Sequence, residues 1–184
     1  HGNKLTDVSG LEKLNQLTRL YLTGNQLTEV PKSLEKLMQL ELLMLHQNQL
    51  TNVKGLKKLT QLKGLLLNDN QLTDVKGLEK LTQLTILLLN NNQLTNVKGL
   101  EKLTQLRTLS LAGNKLTDVK GLENLTQLKS LNLGANQMTD VQGLEKLTQL
   151  EMLNLQSNPD LTRTQIAELQ KALPKCRIAS NAKK

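Results

Sequence analysis

The chain is nearly devoid of rings, with one tyrosine (Tyr21) and no tryptophan or phenylalanine in 184 residues. Aromatic side chains usually dominate cores of this size, so another residue type must fill this one. Cysteine is almost absent too. Cys176 stands alone, which excludes an intramolecular disulfide and a cysteine-based metal site. The only histidines, His1 and His46, are far apart in sequence. No stretch of 18 apolar residues offers a membrane-spanning helix. A glycine-rich phosphate loop, a Ser-His-Asp set and a Cys-His pair are all missing. Catalysis, a bound cofactor and a small-molecule substrate therefore have no visible foothold, and no membrane contact is expected.

What the chain has is leucine at fixed intervals. Asn25, Asn48, Asn70, Asn92, Asn114, Asn136 and Asn158 each close a segment of form L-x-x-L-x-L-x-x-N, the first being Leu17-Thr18-Arg19-Leu20-Tyr21-Leu22-Thr23-Gly24-Asn25. The spacing is 22 residues apart from one step of 23, which contains Val30-Pro31-Lys32-Ser33-Leu34 where later copies read like Val53-Lys54-Gly55-Leu56. Alternating leucines in L-x-L give a short strand with one face buried. Stacked copies must then pair side by side as a parallel sheet. Leu27, Val30, Leu34 and Leu37 and their counterparts line the inside of the return path. That path is too short for a long helix, so extended and 3₁₀-like turns are expected there. The asparagines suit a structural ladder, because a buried amide satisfies backbone N–H and C=O groups where the strand ends.

In Asn70-Gln71-Leu72-Thr73-Asp74-Val75-Lys76-Gly77-Leu78-Glu79-Lys80-Leu81-Thr82-Gln83-Leu84 and its copies, the chain resembles the leucine-rich-repeat family, in particular the 22-residue bacterial class of internalin-like proteins. The resemblance covers about residues 3–178. It departs at the Val-Lys-Gly-Leu corner, where internalins often carry proline, and no internalin-type helical cap is legible at the N-terminus. The fold class expected is an α/β repeat solenoid: a horseshoe arc with a concave parallel sheet, a convex side of turns, and a C-terminal capping helix. The domain reading is a partial, uncapped N-terminal repeat over 1–16, repeats over 17–160, and a cap and tail over 161–184. In the cap, Thr162 with Gln165 fits a capping box, Ile166, Leu169 and Leu173 share a helical face, and Pro174 stops the helix. Ile178 then adds a last strand segment, Cys176 packs inside, and Ala182-Lys183-Lys184 frays. The strand around Arg19 to Tyr21 becomes an open sheet edge, which invites self-association.

Comparison between copies locates function. The Gln of Leu-Thr-Gln-Leu recurs in all seven copies, from Gln16 to Gln149, but four columns change almost every time. The first runs Arg19, Leu42, Gly64, Ile86, Thr108, Ser130, Met152. The second runs Tyr21, Met44, Leu66, Leu88, Ser110, Asn132, Asn154. The third runs Thr23, His46, Asn68, Asn90, Ala112, Gly134, Gln156, and the fourth Gly24, Gln47, Asp69, Asn91, Gly113, Ala135, Ser157. Side chains two apart on a strand share a face. The first two columns therefore point out of the concave sheet and the last two lie at its rim. Drift of solvent positions does not explain why the equally exposed glutamines stay fixed. Leu42, Met44, Leu66, Ile86 and Leu88 form an expected apolar patch, flanked by Arg19, Tyr21 and His46 as polar-tipped anchors. Asn68, Asn90, Ser110, Asn132, Met152 and Asn154 complete the expected partner-binding set.

The favoured reading is a non-enzymatic protein- or peptide-binding module. The alternative is a designed or consensus-type scaffold with no partner, for which exposed Leu66 and Leu88 have no purpose. The formal charge of +8, from 24 Lys+Arg and 16 Asp+Glu, raises a third reading. Lys54, Lys76, Lys98 and Lys120 recur as a ladder, but stacking aromatics are missing and the ladder lies off the variable face, which disfavours nucleic acid. Lys13, Lys36, Lys80, Lys102 and Lys146 each follow a glutamate directly, as on a solvated surface.

Overall fold

The computed structural model describes residues 2–182. Lys183 and Lys184 of the expected frayed tail lie outside the described residues. Eight parallel strands of three residues follow one another in sequence order: β1 (Arg19–Tyr21), β2 (Leu42–Met44), β3 (Gly64–Leu66), β4 (Ile86–Leu88), β5 (Thr108–Ser110), β6 (Ser130–Asn132), β7 (Met152–Asn154) and β8 (Arg177–Ala179). Each strand lies in register with the next copy, so Leu43 faces Leu65 and Leu65 faces Leu87. The return paths carry turns and short 3₁₀ segments such as Leu11–Lys13 and Leu144–Lys146. The 23-residue step is absorbed by a longer 3₁₀ segment, Lys32–Lys36, that starts after Pro31. This is the turn-backed parallel arc that the leucine spacing predicts.

Leucine replaces rings because the core is built in layers. One layer comprises Leu50, Val53, Leu56, Leu59, Leu62, Leu65 and Leu67, all fully buried. The next repeats it with Leu72, Val75, Leu78, Leu81, Leu84, Leu87 and Leu89. Like stacks on like at the strand spacing of about 4.8 Å, a separation that branched aliphatic chains fill closely.

The asparagine ladder ties the layers together. Asn92 Nδ2 donates to the Leu89 carbonyl in its own repeat at 3.0 Å and to the Leu67 carbonyl of the preceding one at 3.1 Å, while its Oδ1 accepts from the Leu72 N–H at 3.0 Å. Asn70 does the same with Leu67, Leu45 and Leu50. Each buried amide thus serves both sides of a repeat boundary.

The corner glycines explain the departure from proline. Gly77 has φ 109°, and a Cβ built there would sit 2.8 Å from the Lys54 Cα and the Val53 carbonyl oxygen. Proline is confined to φ near −65° and cannot occupy this turn. The Gly77 N–H is taken by Glu79 Oε2 at 2.8 Å, and Gly99, Gly121 and Gly143 are held likewise by Glu101, Glu123 and Glu145.

Helix α1 (Arg163–Ala172) closes the stack. The Thr162 hydroxyl accepts from the Gln165 N–H at 3.2 Å and Gln165 Oε1 accepts from the Thr162 N–H at 2.9 Å, a reciprocal cap. Leu169 and Leu173 are buried and Ile166 packs against the core. After Pro174 the chain returns as β8, where Ile178 pairs with Leu153. Cys176 is buried, and desolvation pushes its thiol above the ordinary value.

Two outcomes follow. Asn92→Ala strands the buried Leu72 N–H and leaves the Leu67 and Leu89 carbonyls with one ladder donor each, from Asn70 and Asn114, so urea unfolding should show a loss of about 2 kcal/mol. Gly77→Ala should cost more than Gly99→Ala in the same assay. Both strain a left-handed φ by roughly 1–2 kcal/mol, but at Gly77 the new methyl meets backbone, whereas at Gly99 nothing lies closer than 3.5 Å.

Candidate protein-interaction surface

Strand alternation sorts the side chains. The central residue of β2 to β7 (Leu43, Leu65, Leu87, Leu109, Leu131 and Leu153) is buried, and its two neighbours emerge on the concave face. Met44, Leu66 and Leu88 are consecutive in register, each half-buried. Leu42 and Ile86 flank Gly64, and Leu42 leans over it, since a Cβ on Gly64 would lie 2.8 Å from Leu42 Cδ1. Ile86 is 42 % exposed and Tyr21 41 %. The apolar residues that vary from copy to copy therefore form one continuous surface across β2–β4.

The other expected positions behave less uniformly. Arg19 is exposed at the start of the sheet, and Met152 is 56 % exposed near its end. Ser110 is only 7 % exposed, a short side chain sunk between Leu88 and Asn132. Asn132 and Asn154 each commit Oδ1 to a local turn, accepting from the Gly134 and Gln156 N–H groups at 3.0 Å. The His46 ring lies 3.3 Å from the buried Thr23 hydroxyl. Asn68 and Asn90, half-buried neighbours, have Oδ1 atoms shielded from solvent without a hydrogen-bond partner among the described residues.

Two features escaped the sequence reading. The fourth variable column is constrained by backbone shape. Gly24, Gln47, Asp69, Asn91, Gly113, Ala135 and Ser157 all have φ between 52° and 68°. Left-handed backbone favours glycine and asparagine, so residue choice there reflects the turn that ends each strand. The recurrence of Gly, Asn and Asp one place before the ladder asparagine was the available signal. The second feature is a varied row just before the strands: Thr18, Glu41, Lys63, Thr85, Arg107, Lys129 and Glu151. Consecutive members are joined N–H to C=O at 2.8–2.9 Å, which makes them neighbours along one rim of the sheet. Lys63 pairs with Glu41 and Lys129 with Glu151, both at 2.8 Å.

Acidic groups elsewhere have structural partners. Asp74, Asp118 and Asp140 accept the N–H two residues on, from Lys76, Lys120 and Gln142. The backbone N–H groups of Glu123 itself and of Gly121 hold the Glu123 carboxyl below its usual value. A depression of about 410 Å³ between α1 and the last return path is lined by Asp140, Glu145, Gln165, Glu168 and Leu169. It lies off the concave face, and two of its carboxylates already serve as these turn acceptors. Among the described residues no group of three or more His, Cys, Asp or Glu is placed to hold a metal, and no helix is long and apolar enough to cross a membrane.

Comparison with known proteins agrees with this architecture. A model of paired leucine-rich repeats matches residues 60–102, 82–124, 104–144 and 126–171, and a single-repeat model matches 16–37. The chain belongs to the leucine-rich-repeat family. An internalin (inlF) from Listeria monocytogenes superposes with TM-score 0.88 at 31 % identity, covering 98 % of this chain and 52 % of that one. Internalin C2 from the same organism gives 0.89 at 31 % identity, covering 98 % and 78 %. The repeats are thus of the internalin-like bacterial class, and the chain spans about half the length of the first of these relatives. The ectodomain of the receptor kinase GASSHO1/SCHENGEN3 from Arabidopsis thaliana, in complex with CASPARIAN STRIP INTEGRITY FACTOR 2, gives 0.78 at 28 % identity, covering 96 % of this chain and 22 % of that one. No curated protein sequence matches the chain. Proteins of this family are generally protein-binding modules, and the fold is typically non-enzymatic.

Proposed function

We propose that this chain is a non-enzymatic protein- or peptide-binding module, with residues 17–160 presenting the concave face and a cap over 161–182 closing the stack. One observation supports the reading above the rest. Copy-variable Leu42, Met44, Leu66, Ile86 and Leu88 form a continuous apolar surface on a frame that otherwise hardly changes. Clusters of exposed aliphatic side chains on one face mark interfaces, and a scaffold with no partner gains nothing from this one. Arg19, Tyr21 and His46 flank it as anchor types that often carry binding energy. Asn68, Asn90, Ser110, Asn132, Met152 and Asn154 extend the surface as complementary contacts. The uniform leucine frame also suits a consensus-type scaffold, and the apolar patch is what favours recognition over that alternative.

We also propose that the open edge of β1 supports self-association of the 184-residue chain. Leu14 is 50 % exposed and Leu5 36 %, and among the described residues the parallel ladder of β1 is paired on one side only. Exposed edge strands with apolar neighbours template pairing.

Leu66→Ala and Leu88→Ala should each weaken a cognate protein partner about five- to thirtyfold, consistent with roughly 1–2 kcal/mol per buried aliphatic side chain, with little change in thermal stability. Unchanged affinity would remove the patch from the interface. Sedimentation at rising concentration should show a dimer that Leu14→Glu abolishes. A monomer throughout ends the edge proposal and leaves the concave face untouched.

A further inference from the structure

The rim row gives the partner a chemical signature. Its two carboxylates, Glu41 and Glu151, are each neutralised by a lysine one repeat away, at 2.8 Å. Arg107 is different: no carboxylate lies within ion-pair distance of it among the described residues, and the same holds for Arg19. Arg19 stands in register with Leu42 at one end of the apolar surface. Arg107 stands at the other end, beside Thr85 on the rim and one residue before Thr108, which is in register with Ile86. On the opposite rim the acid Asp69 is engaged by Asn91 Nδ2 at 2.7 Å. The apolar surface is therefore bracketed by two guanidinium groups with no counter-charge of their own.

This arrangement dictates what complements it. Guanidinium is weakly hydrated, always charged and matched to a carboxylate by its planar fork. Arg19 and Arg107 belong to strands four steps apart, so their backbone positions are separated by about 19 Å at a strand spacing of ~4.8 Å. An extended chain covers that distance in about six residues at ~3.3 Å each. We propose, building on the binding reading above, that the concave face takes an extended protein segment running along the arc across β2–β4. Its apolar side chains lie on Leu42, Leu66, Ile86 and Leu88. A carboxylate at each end, about six residues apart, meets Arg19 and Arg107. A basic segment is rejected by the same pair of charges, because like charges juxtaposed at an interface oppose docking.

The test is selection from a random 12-residue peptide library on the folded chain and, in parallel, on the double variant R19E/R107E. Both arginines are exposed and have no carboxylate partner among the described residues, so the variant should keep the circular dichroism spectrum and melting temperature of the parent. The parent should enrich apolar cores with Asp or Glu on both sides at the stated spacing. The double variant should bind those peptides at least 100-fold more weakly and enrich Lys or Arg flanks instead. The preference should shrink as salt is raised. No enrichment on the parent, enrichment without acidic flanks, or equal binding of acidic-flanked peptides to both proteins overturns the proposal. Assay of the winners on L66A/L88A separates the two claims. Peptides without acidic flanks that lose binding there sink the arginine bracket and leave the apolar face standing. Peptides indifferent to L66A/L88A remove the face itself.

Discussion

The whole stack depends on an amide that serves two repeats at once. From Asn48 onward each ladder asparagine donates backward and within its own turn, and accepts from the repeat behind, so the strand ends of neighbouring copies are joined by side chain as well as by the sheet. This imposes a strict bookkeeping of length. From Asn92 the bonded partners lie 25 and 20 positions behind. In the repeat that contains Pro31 the corresponding separations from Asn48 are 26 and 21, and the bonds remain at 2.9 and 3.1 Å. The surplus residue has been taken up in the longer 3₁₀ segment before the ladder is reached. Chain length on the convex side is negotiable only if the asparagine arrives in place.

Freedom on the concave face is the counterpart of that rigidity. The layers of leucine and valine supply the burial, and the asparagines and glutamates supply the backbone's partners. Nothing in the frame asks anything of the residues that flank each central strand leucine. They can be Leu, Met, Ser or Asn because β2 to β7 would form with any of them. The rim is less free. Residues after each strand must accept a left-handed backbone, which costs a side chain with a Cβ roughly 1–2 kcal/mol. Gln47 and Ala135 bear that strain, and Gly24 and Gly113 avoid it.

Most of the fold was legible in advance because its period is written in the residues that build it. Leucine spacing gave strand positions and pairing, and Thr162, Gln165 and Pro174 gave the bounds of α1. Side-chain direction on β2–β4 followed from alternation alone. What escaped depends on the third dimension between copies. That Ser110 is sunk follows from the size of Leu88 and Asn132 beside it, which no single repeat reveals. That Gly77 cannot be replaced by proline follows from its φ and from the Lys54 backbone one layer away. The rim row with Arg107 was overlooked because its members adjoin the invariant first leucine, where the pattern directs attention to the core. The Glu of Gly-Leu-Glu read only as part of a solvated surface, and it is a backbone acceptor at Gly77, Gly99, Gly121 and Gly143.

No ladder bond crosses more than one boundary, so the arc behaves as a ruler with interchangeable divisions. Excising or duplicating one 22-residue unit between two asparagines leaves each amide with an equivalent partner, because the newly adjoining layers carry the same leucines. The concave face would grow or shrink by one strand width, about 4.8 Å, with its chemistry shifted by one column. A lineage using this frame can therefore adjust the footprint of its recognition surface by unequal recombination, without redesigning any contact in its core.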